Sequence, residues 1–151
     1  MKMFIAIATL SLSVGAFARV PLIVKNNSMG FTPAENVRSE SCEVFTNQVV
    51  IIKRFGNNNQ VVQKIAIKLS PSVLDVIAKA ANDKIELKDN YLCDGPSTTI
   101  YANLGDGSEA QQVSLFSTGG CGSPRSSRAG SSARILVDIV KTYCPQVYDY
   151  K

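Results

Sequence analysis

Histidine is absent from the 151-residue sequence, and this absence narrows the available chemistry more than any other feature. Without histidine the chain cannot build a Ser-His-Asp or Cys-His nucleophilic site, a His-ligated zinc site or the usual general base near neutral pH. No Lys follows a Ser by three residues, and no Gly-x-Ser-x-Gly sequence occurs. We therefore expect a protein that is not an enzyme and that needs no cofactor.

Carboxylates are the residue type that leaves a catalytic alternative open. Two of them across a cleft, roughly 5–10 Å apart, are what a glycosidase needs. Most acids of a small domain lie solvated on its surface, which is the competing interpretation. A small envelope hydrolase that uses a carboxylate pair therefore stays as an alternative, and its candidate acids are Asp94, Asp106, Glu109 and Asp138.

Long hydrophobic runs are scarce, and the main one lies at the N-terminus. Residues 4–14 form an uncharged apolar stretch after Lys2. This stretch is too short for a membrane anchor, because spanning a bilayer takes roughly 20 apolar residues. Ala16 and Ala18 then provide the small-x-small pattern that signal peptidase accepts. We predict that residues 1–18 are a cleaved signal peptide and that the mature protein is secreted or periplasmic in a bacterium, with no membrane insertion.

Cysteine is limited to four residues, and none of them forms a Cys-x-x-Cys pair. The absence of a Cys-x-x-Cys pair and the lack of histidine argue against a metal site or a reactive thiol. An even number of cysteines in an oxidising compartment predicts two disulfides. Among the three connectivities we favour Cys42–Cys93 and Cys121–Cys144, because the second bond would tie a loop to the end of the helix that follows it.

Hydrophobic periodicity predicts one α+β domain over residues 19–151. Helices with an apolar stripe are expected to open at Ser70-Pro71 and at Ser131 or Ser132. Because these helices interrupt antiparallel hairpins, we expect an antiparallel sheet of about five strands with both helices packed on one face, stabilised by the disulfides. The first β-rich run, 20–25, is expected to be an edge strand because it contains Pro21. The other expected strands come from the β-rich runs at 44–55, 61–69, 84–88, 97–104 and 110–116. We expect flexible loops at 26–41 and 118–130 and a frayed C-terminal tail.

The loop at 118–130 is the segment in which we look for function. It is rich in Gly and Ser, contains Cys121 and leads into the second predicted helix. Loops on rigid scaffolds commonly carry binding, so Ser123, Arg125 and Arg128 are the candidate binding residues. The helix N-terminus beside them is a place where an anion can bind. Three interpretations are open: a substrate-like protease-inhibitor loop, a contact with an anionic or polysaccharide ligand, and a clamp for a protein partner. A solvated linker is the alternative to all three.

Charge sets the remaining expectations. A formal net charge of +4 is mild, and proteins that bind nucleic acid usually concentrate Lys and Arg on one face, so no nucleic-acid partner is predicted. We expect a monomer. The resulting hypothesis is an exported, small, non-enzymatic binding or inhibitory module whose partner is a protein or an anionic or polysaccharide ligand. A structural, envelope-associated protein is the second alternative.

Overall fold

The computed structural model describes residues 20–30, 38–56, 58–89, 95–105, 109–118 and 123–144 of the chain. Within them, one large antiparallel sheet of eight strands is accompanied by two helices. The predicted signal peptide and C-terminal tail lie outside the described residues. In chain order the elements are β1 Ile23–Ser28, β2 Arg38–Val44, β3 Gln48–Phe55, β4 Asn58–Ala66, α1 Val73–Ala81, β5 Ile85–Lys88, β6 Ser97–Leu104, β7 Gln111–Ser117, β8 Arg125–Arg128 and α2 Ser131–Tyr143.

The strand order across the sheet is β4-β3-β2-β1-β6-β7-β8-β5. The first four strands pair with their neighbours in sequence, as short connections between antiparallel strands allow. β6 then pairs with the other side of β1, and β7 and β8 extend the sheet to β5. β1 is therefore a central strand, and its side chains lie in the middle of both faces of the sheet.

Alternation along the strands divides the sheet into two different faces. Ile23 pairs with Val44 on one side and with Ala102 on the other, and all three side chains belong to the core. Both helices pack on this side, which we call the helix face. Val24 and Val50 are buried but lie outside that core cluster, on the opposite side, which we call the open face. Each fully buried aliphatic side chain contributes roughly 1.5–3 kcal/mol to stability, so the helix face holds most of the folding energy.

The helices cover the core through residues at helical spacing. In α1 the buried residues are Val73, Ile77 and Ala80, and in α2 they are Ala133, Leu136 and Val140. Neither described helix is long and apolar enough to cross a bilayer. The sequence places the second helix correctly along the chain, but Ile135, expected on its apolar face, is half exposed.

A disulfide joins Cys42 of β2 to Cys144 at the end of α2, across 102 residues of sequence. The favoured pairing of Cys42 with Cys93 and of Cys121 with Cys144 is therefore wrong. Cys42 belongs to the helix-face core, and α2 lies over that core and ends at Cys144. Proximity in sequence does not reveal which strand lies beneath the end of a helix. Cys93 and Cys121 lie outside the described residues.

The predicted fold class is wrong in its sheet, which has eight strands rather than about five. β2 lies mostly in the segment 26–41, and β8 lies in the segment 118–130, both of which were predicted to be loops. Only two of the seven β2 residues are apolar core residues, and β8 (Arg-Ser-Ser-Arg) contains no apolar residue at all. Hydrophobic patterning therefore could not detect either strand.

The start of the sheet also differs from the prediction. The segment 20–25 was expected to be an edge strand, yet β1 is central and begins only at Ile23. Pro21 precedes the strand, so its missing N–H breaks no ladder bond, and its carbonyl accepts a 2.7 Å hydrogen bond from Nδ2 of Asn103. The strand continues to Ser28, into the segment predicted to be a loop.

A cationic cleft between helix and sheet

A cavity of about 740 Å³ lies between α2 and strands β1, β6, β7 and β8. Its size is within the usual range for small-molecule sites, roughly 300–1,000 Å³. Asp138 is the one carboxylate among its described lining residues. We call this cavity the cationic cleft, because five positively charged residues line it: Lys25, Arg125, Arg128, Arg134 and Lys141.

The floor of the cationic cleft is apolar. A β-bulge between β6 and β7 places Phe116 opposite Ile100, and the two consecutive residues Leu115 and Phe116 both line the cleft. Val137 and Val140 of α2 complete the apolar lining. The bulge thus gives β7 two neighbouring hydrophobic side chains at the site, where regular alternation would give one.

Arg125 is held by an aromatic ring. Its guanidinium carbon lies 5.0 Å from the centroid of the Phe116 ring, which is within the range of a cation–π contact. Such a contact restricts the side chain but uses none of the five N–H donors of the guanidinium group. Arg125 is therefore both positioned and chemically equipped to bind an anion.

Arg128 has a mainly structural role. Its Nε donates to the carbonyl of Ser114 at 2.6 Å, and its Nη1 donates to the carbonyls of Ala81 and Asp83 at 2.9 and 2.7 Å. The carbonyls at a helix C-terminus lack partners within the helix, and a cation there also interacts favourably with the helix dipole. Arg128 thus ties β8 to β7 and to the end of α1, and its charge remains in the wall of the cleft.

The N-terminus of α2 is already occupied by a carboxylate from the chain itself. Gly130 is its N-cap residue, and Oδ2 of Asp83 accepts a 3.0 Å hydrogen bond from the backbone N–H of Ala133. A Cβ atom on Gly130 would collide with that same carboxylate. Asp83 therefore occupies one of the N–H donors of the helix end that was expected to bind an external anion.

Lys25 is the cation that sequence reasoning missed. It is only 7% exposed, and it pairs with Cys42 of β2 and with Ile100 of β6. Burial lowers the pKa of Lys25 from its ordinary value of 10.5, and the Glu40 carboxylate opposes that shift. Because side chains alternate along a strand, Lys25 lies on the same face as the core residue Ile23. A charged residue at a core-facing position is the sequence signal that could have identified Lys25 as a candidate site residue.

One stripe of α2 supplies the remaining charged residues. Arg134, Asp138 and Lys141 follow one another at helical spacing and all line the cleft. Nζ of Lys141 lies 3.2 Å from Oδ1 of Asp138, and both side chains are more than half exposed. Arg134 donates from Nη2 to the carbonyl of Ala129 at 3.2 Å. This stripe forms the outer rim of the cleft, and of its three residues only Asp138 was a candidate from the sequence, as a catalytic acid.

Two of the three predicted binding residues meet in the cleft. Arg125 and Arg128 line it, from a strand rather than from a flexible loop, whereas Ser123 is exposed and precedes β8. Of the candidate catalytic acids, Glu109 is exposed and Asp138 pairs with Lys141. Asp94 and Asp106 lie outside the described residues. The described part of the chain contains no group of three or more Cys, Asp or Glu residues arranged to hold a metal ion.

A smaller depression of about 400 Å³ lies over β1–β4 and β6 and has a different chemistry. Burial raises the pKa of Glu43, which lines it. Arg54 is a positively charged residue of this lining, and its Nε donates to Oδ1 of Asn59 at 2.8 Å. The rest of the lining is mostly Ser, Thr and Asn, as expected of a strand surface with no helix over it.

Comparisons with known proteins do not add a relative to this description. No protein-family model matches the chain, and searches of curated proteins and of solved structures find no significant match. The geometry and charge of the cationic cleft are therefore the features that bear on function.

Proposed function

We propose that this chain is an exported, non-enzymatic binding module that holds an anionic ligand in the cationic cleft. The observation that carries the proposal is the charge of the lining, because five cations face one carboxylate among the described residues of the cleft. A concave site lined by one sign of charge raises the local concentration of oppositely charged ligands and strengthens their binding. Anionic groups are therefore the ligands that this lining attracts.

Two observations support export. The N-terminal pattern of Lys2, an apolar stretch and Ala16-x-Ala18 is that of a signal peptide. The disulfide between Cys42 and Cys144 is typical of proteins that fold in an oxidising compartment. Together they support secretion or export to the periplasm. N-terminal sequencing of the exported protein is expected to begin at Arg19.

Binding is better supported than protease inhibition. A substrate-like inhibitor must present its specificity residue to the protease from an accessible, extended loop. Arg125 instead lies in β8 with its guanidinium over Phe116, and Arg128 donates to three backbone carbonyls. Freeing Arg128 for a protease would break all three hydrogen bonds, each of which contributes about 0.5–1.5 kcal/mol.

Thermal unfolding in the presence of chosen anions tests the proposal. A ligand that binds only the folded state raises the midpoint temperature, so the shift reports affinity without an activity assay. The probes are sulfate, a sulfated disaccharide and 1-anilinonaphthalene-8-sulfonate. We expect at least one of them to stabilise the protein, and Arg125→Ala to weaken that ligand about tenfold, because a charge-assisted contact is lost.

Arg54→Ala is the matched control, since Arg54 is an exposed arginine of the other depression. Its affinity for the same anion should equal that of the unmodified protein. Each variant is compared with its own ligand-free midpoint, so that changes in intrinsic stability cancel. The proposal fails if none of the three anions stabilises the protein, or if both arginine variants lose affinity equally.

A further inference from the structure

We infer that the ligand of the cationic cleft is an amphipathic anion, with an apolar body that lies on the cleft floor and an anionic group bound by the surrounding cations. This inference rests on the proposed function and narrows it to one chemical class. It separates that class from inorganic anions and from sulfated sugars, which carry charge but no comparable apolar body.

The apolar floor is the first argument. Its residues come from β6, β7 and α2, and they are Ile100, Leu115, Phe116, Val137 and Val140. Ile100, Leu115 and Val140 are buried in the core, so the partly exposed Phe116 and Val137 provide most of the apolar surface that a ligand can contact. A wholly polar ligand would have to give up water against this surface without gaining hydrogen bonds, which is unfavourable. An apolar body instead gains free energy in proportion to the apolar area that it covers.

The placement of the cations around that floor is the second argument. Lys25 is 7% exposed and lies at one end of a row of cross-strand neighbours that continues through Ile100 and Phe116 to Ser127. The Lys141 side chain, in contrast, is 61% exposed at the rim. Charge thus lies both within and around the apolar surface. An anionic head can be bound while its body stays in contact with the floor.

The dimensions of the site set the size of the ligand. The row from β1 to β8 crosses three strand spacings, which is roughly 14 Å at about 4.8 Å for each spacing. This length and the volume of about 740 Å³ fit a two-ring aromatic or a medium-length alkyl anion. A long polymer would extend beyond the apolar floor and would meet the exposed Asp138 carboxylate at the rim.

Three probes that differ in one property at a time test the inference. 1-Anilinonaphthalene-8-sulfonate has both an apolar body and a charge, N-phenyl-1-naphthylamine keeps the body without the charge, and methanesulfonate keeps the charge without the body. Fluorescence titration follows the first two, and competition follows the third. We expect the first probe to bind with one-to-one stoichiometry and at least tenfold more tightly than either of the others.

Variants separate the contributions of charge and floor. Arg125→Ala should weaken the amphipathic probe about tenfold and should not weaken the neutral probe. Val137→Thr keeps the side-chain shape but makes the floor more polar, so it should weaken both aromatic probes. Ile135→Thr is the matched control, because Ile135 is a half-exposed residue of the same helix outside the cleft lining, and it should change neither.

The outcomes distinguish this inference from the proposed function. If methanesulfonate binds as tightly as the amphipathic probe, the apolar floor contributes nothing, and the inference fails while the anion-binding function stands. If the neutral probe binds as tightly as the amphipathic one, the cations contribute nothing, and both fail. If the amphipathic probe binds with the same affinity to Arg125→Ala, its site is elsewhere, and the inference is also overturned.

Discussion

The two faces of the sheet carry depressions of opposite character, although β1 and β6 contribute to both. On the helix face the cationic cleft has a volume of about 740 Å³ and is lined by five cations and one carboxylate. On the open face the depression has a volume of about 400 Å³ and a lining of mostly Ser, Thr and Asn with Glu40 and Glu43. Strand alternation places neighbours such as Lys25 and Asn26 on opposite sides, although Asn27 and Glu40, which share the parity of Lys25, also line the open-face depression.

This difference shows what α2 adds to the sheet. The open-face depression consists of strand residues only, most of them with short polar side chains. The cationic cleft has a second wall, which carries Arg134, Val137 and Lys141 on α2. If this account is right, changes that loosen α2 abolish the cleft and spare the open face.

Removing the disulfide should have the largest effect. The double variant Cys42→Ala with Cys144→Ala leaves no unpaired thiol at this bond, and the loop of 102 residues predicts a loss of about 4–5 kcal/mol. Urea unfolding measures the loss. Hydrogen exchange should show that α2 amides lose more protection than those of β2 and β3. An equal loss of amide protection in α2 and in these strands would contradict the expectation that the disulfide stabilises α2 more than the sheet.

Replacing Gly130 by alanine should have the next largest effect. The new Cβ would collide with the Asp83 carboxylate and displace it from the N–H of Ala133. Losing this helix cap costs about 0.5–2 kcal/mol, and the anion affinity of the cleft should fall with it. Gly95→Ala is the control, because its Cβ would meet no atom within 4 Å. Equal stability of the two variants would show that Asp83 does not need the space at Gly130.

Glu43→Gln tests the open face and should have the smallest effect. Burial raises the pKa of Glu43 from 4.5, so between the unfolded and folded pKa values the folded state binds more protons. The ionised side chain therefore lowers stability above the folded pKa, and this penalty disappears as the pH falls to 4.5 and below. The variant should be slightly more stable at pH 8, the two proteins should converge at pH 4, and anion binding should be unchanged. Lower stability of the variant than of the unmodified protein at pH 8 would contradict a destabilising effect of the ionised Glu43 side chain.

The sequence predicts those parts of the fold in which one periodicity dominates. The helices follow from stripes such as Val73, Ile77 and Ala80, and the β-rich run around Val49 predicts β3. β2 and β8 could not be found in this way, because their residues are mostly polar and only their pairing with neighbouring strands holds them extended.

The candidate site was predictable only in part. Arg125 and Arg128 attract attention in a segment rich in Gly and Ser, but their strand and their contacts depend on Phe116 and on the end of α1. The role of Lys25 depends on which strand pairs beside it, and the disulfide depends on where α2 ends. These are contacts between residues far apart in sequence, and local hydrophobic periodicity carries no information about them. The same limit explains why the wrong cysteine pairing was favoured.

Chemical-shift mapping with the amphipathic probe tests the central claim most directly. Titrating ¹⁵N-labelled protein with 1-anilinonaphthalene-8-sulfonate reports, amide by amide, which face binds the ligand. The account predicts saturable shifts around Phe116, Arg125 and Val137, and none at Ser39 and Ile52 in the open-face depression. Saturable shifts at those open-face residues, without shifts in the cleft, would contradict it.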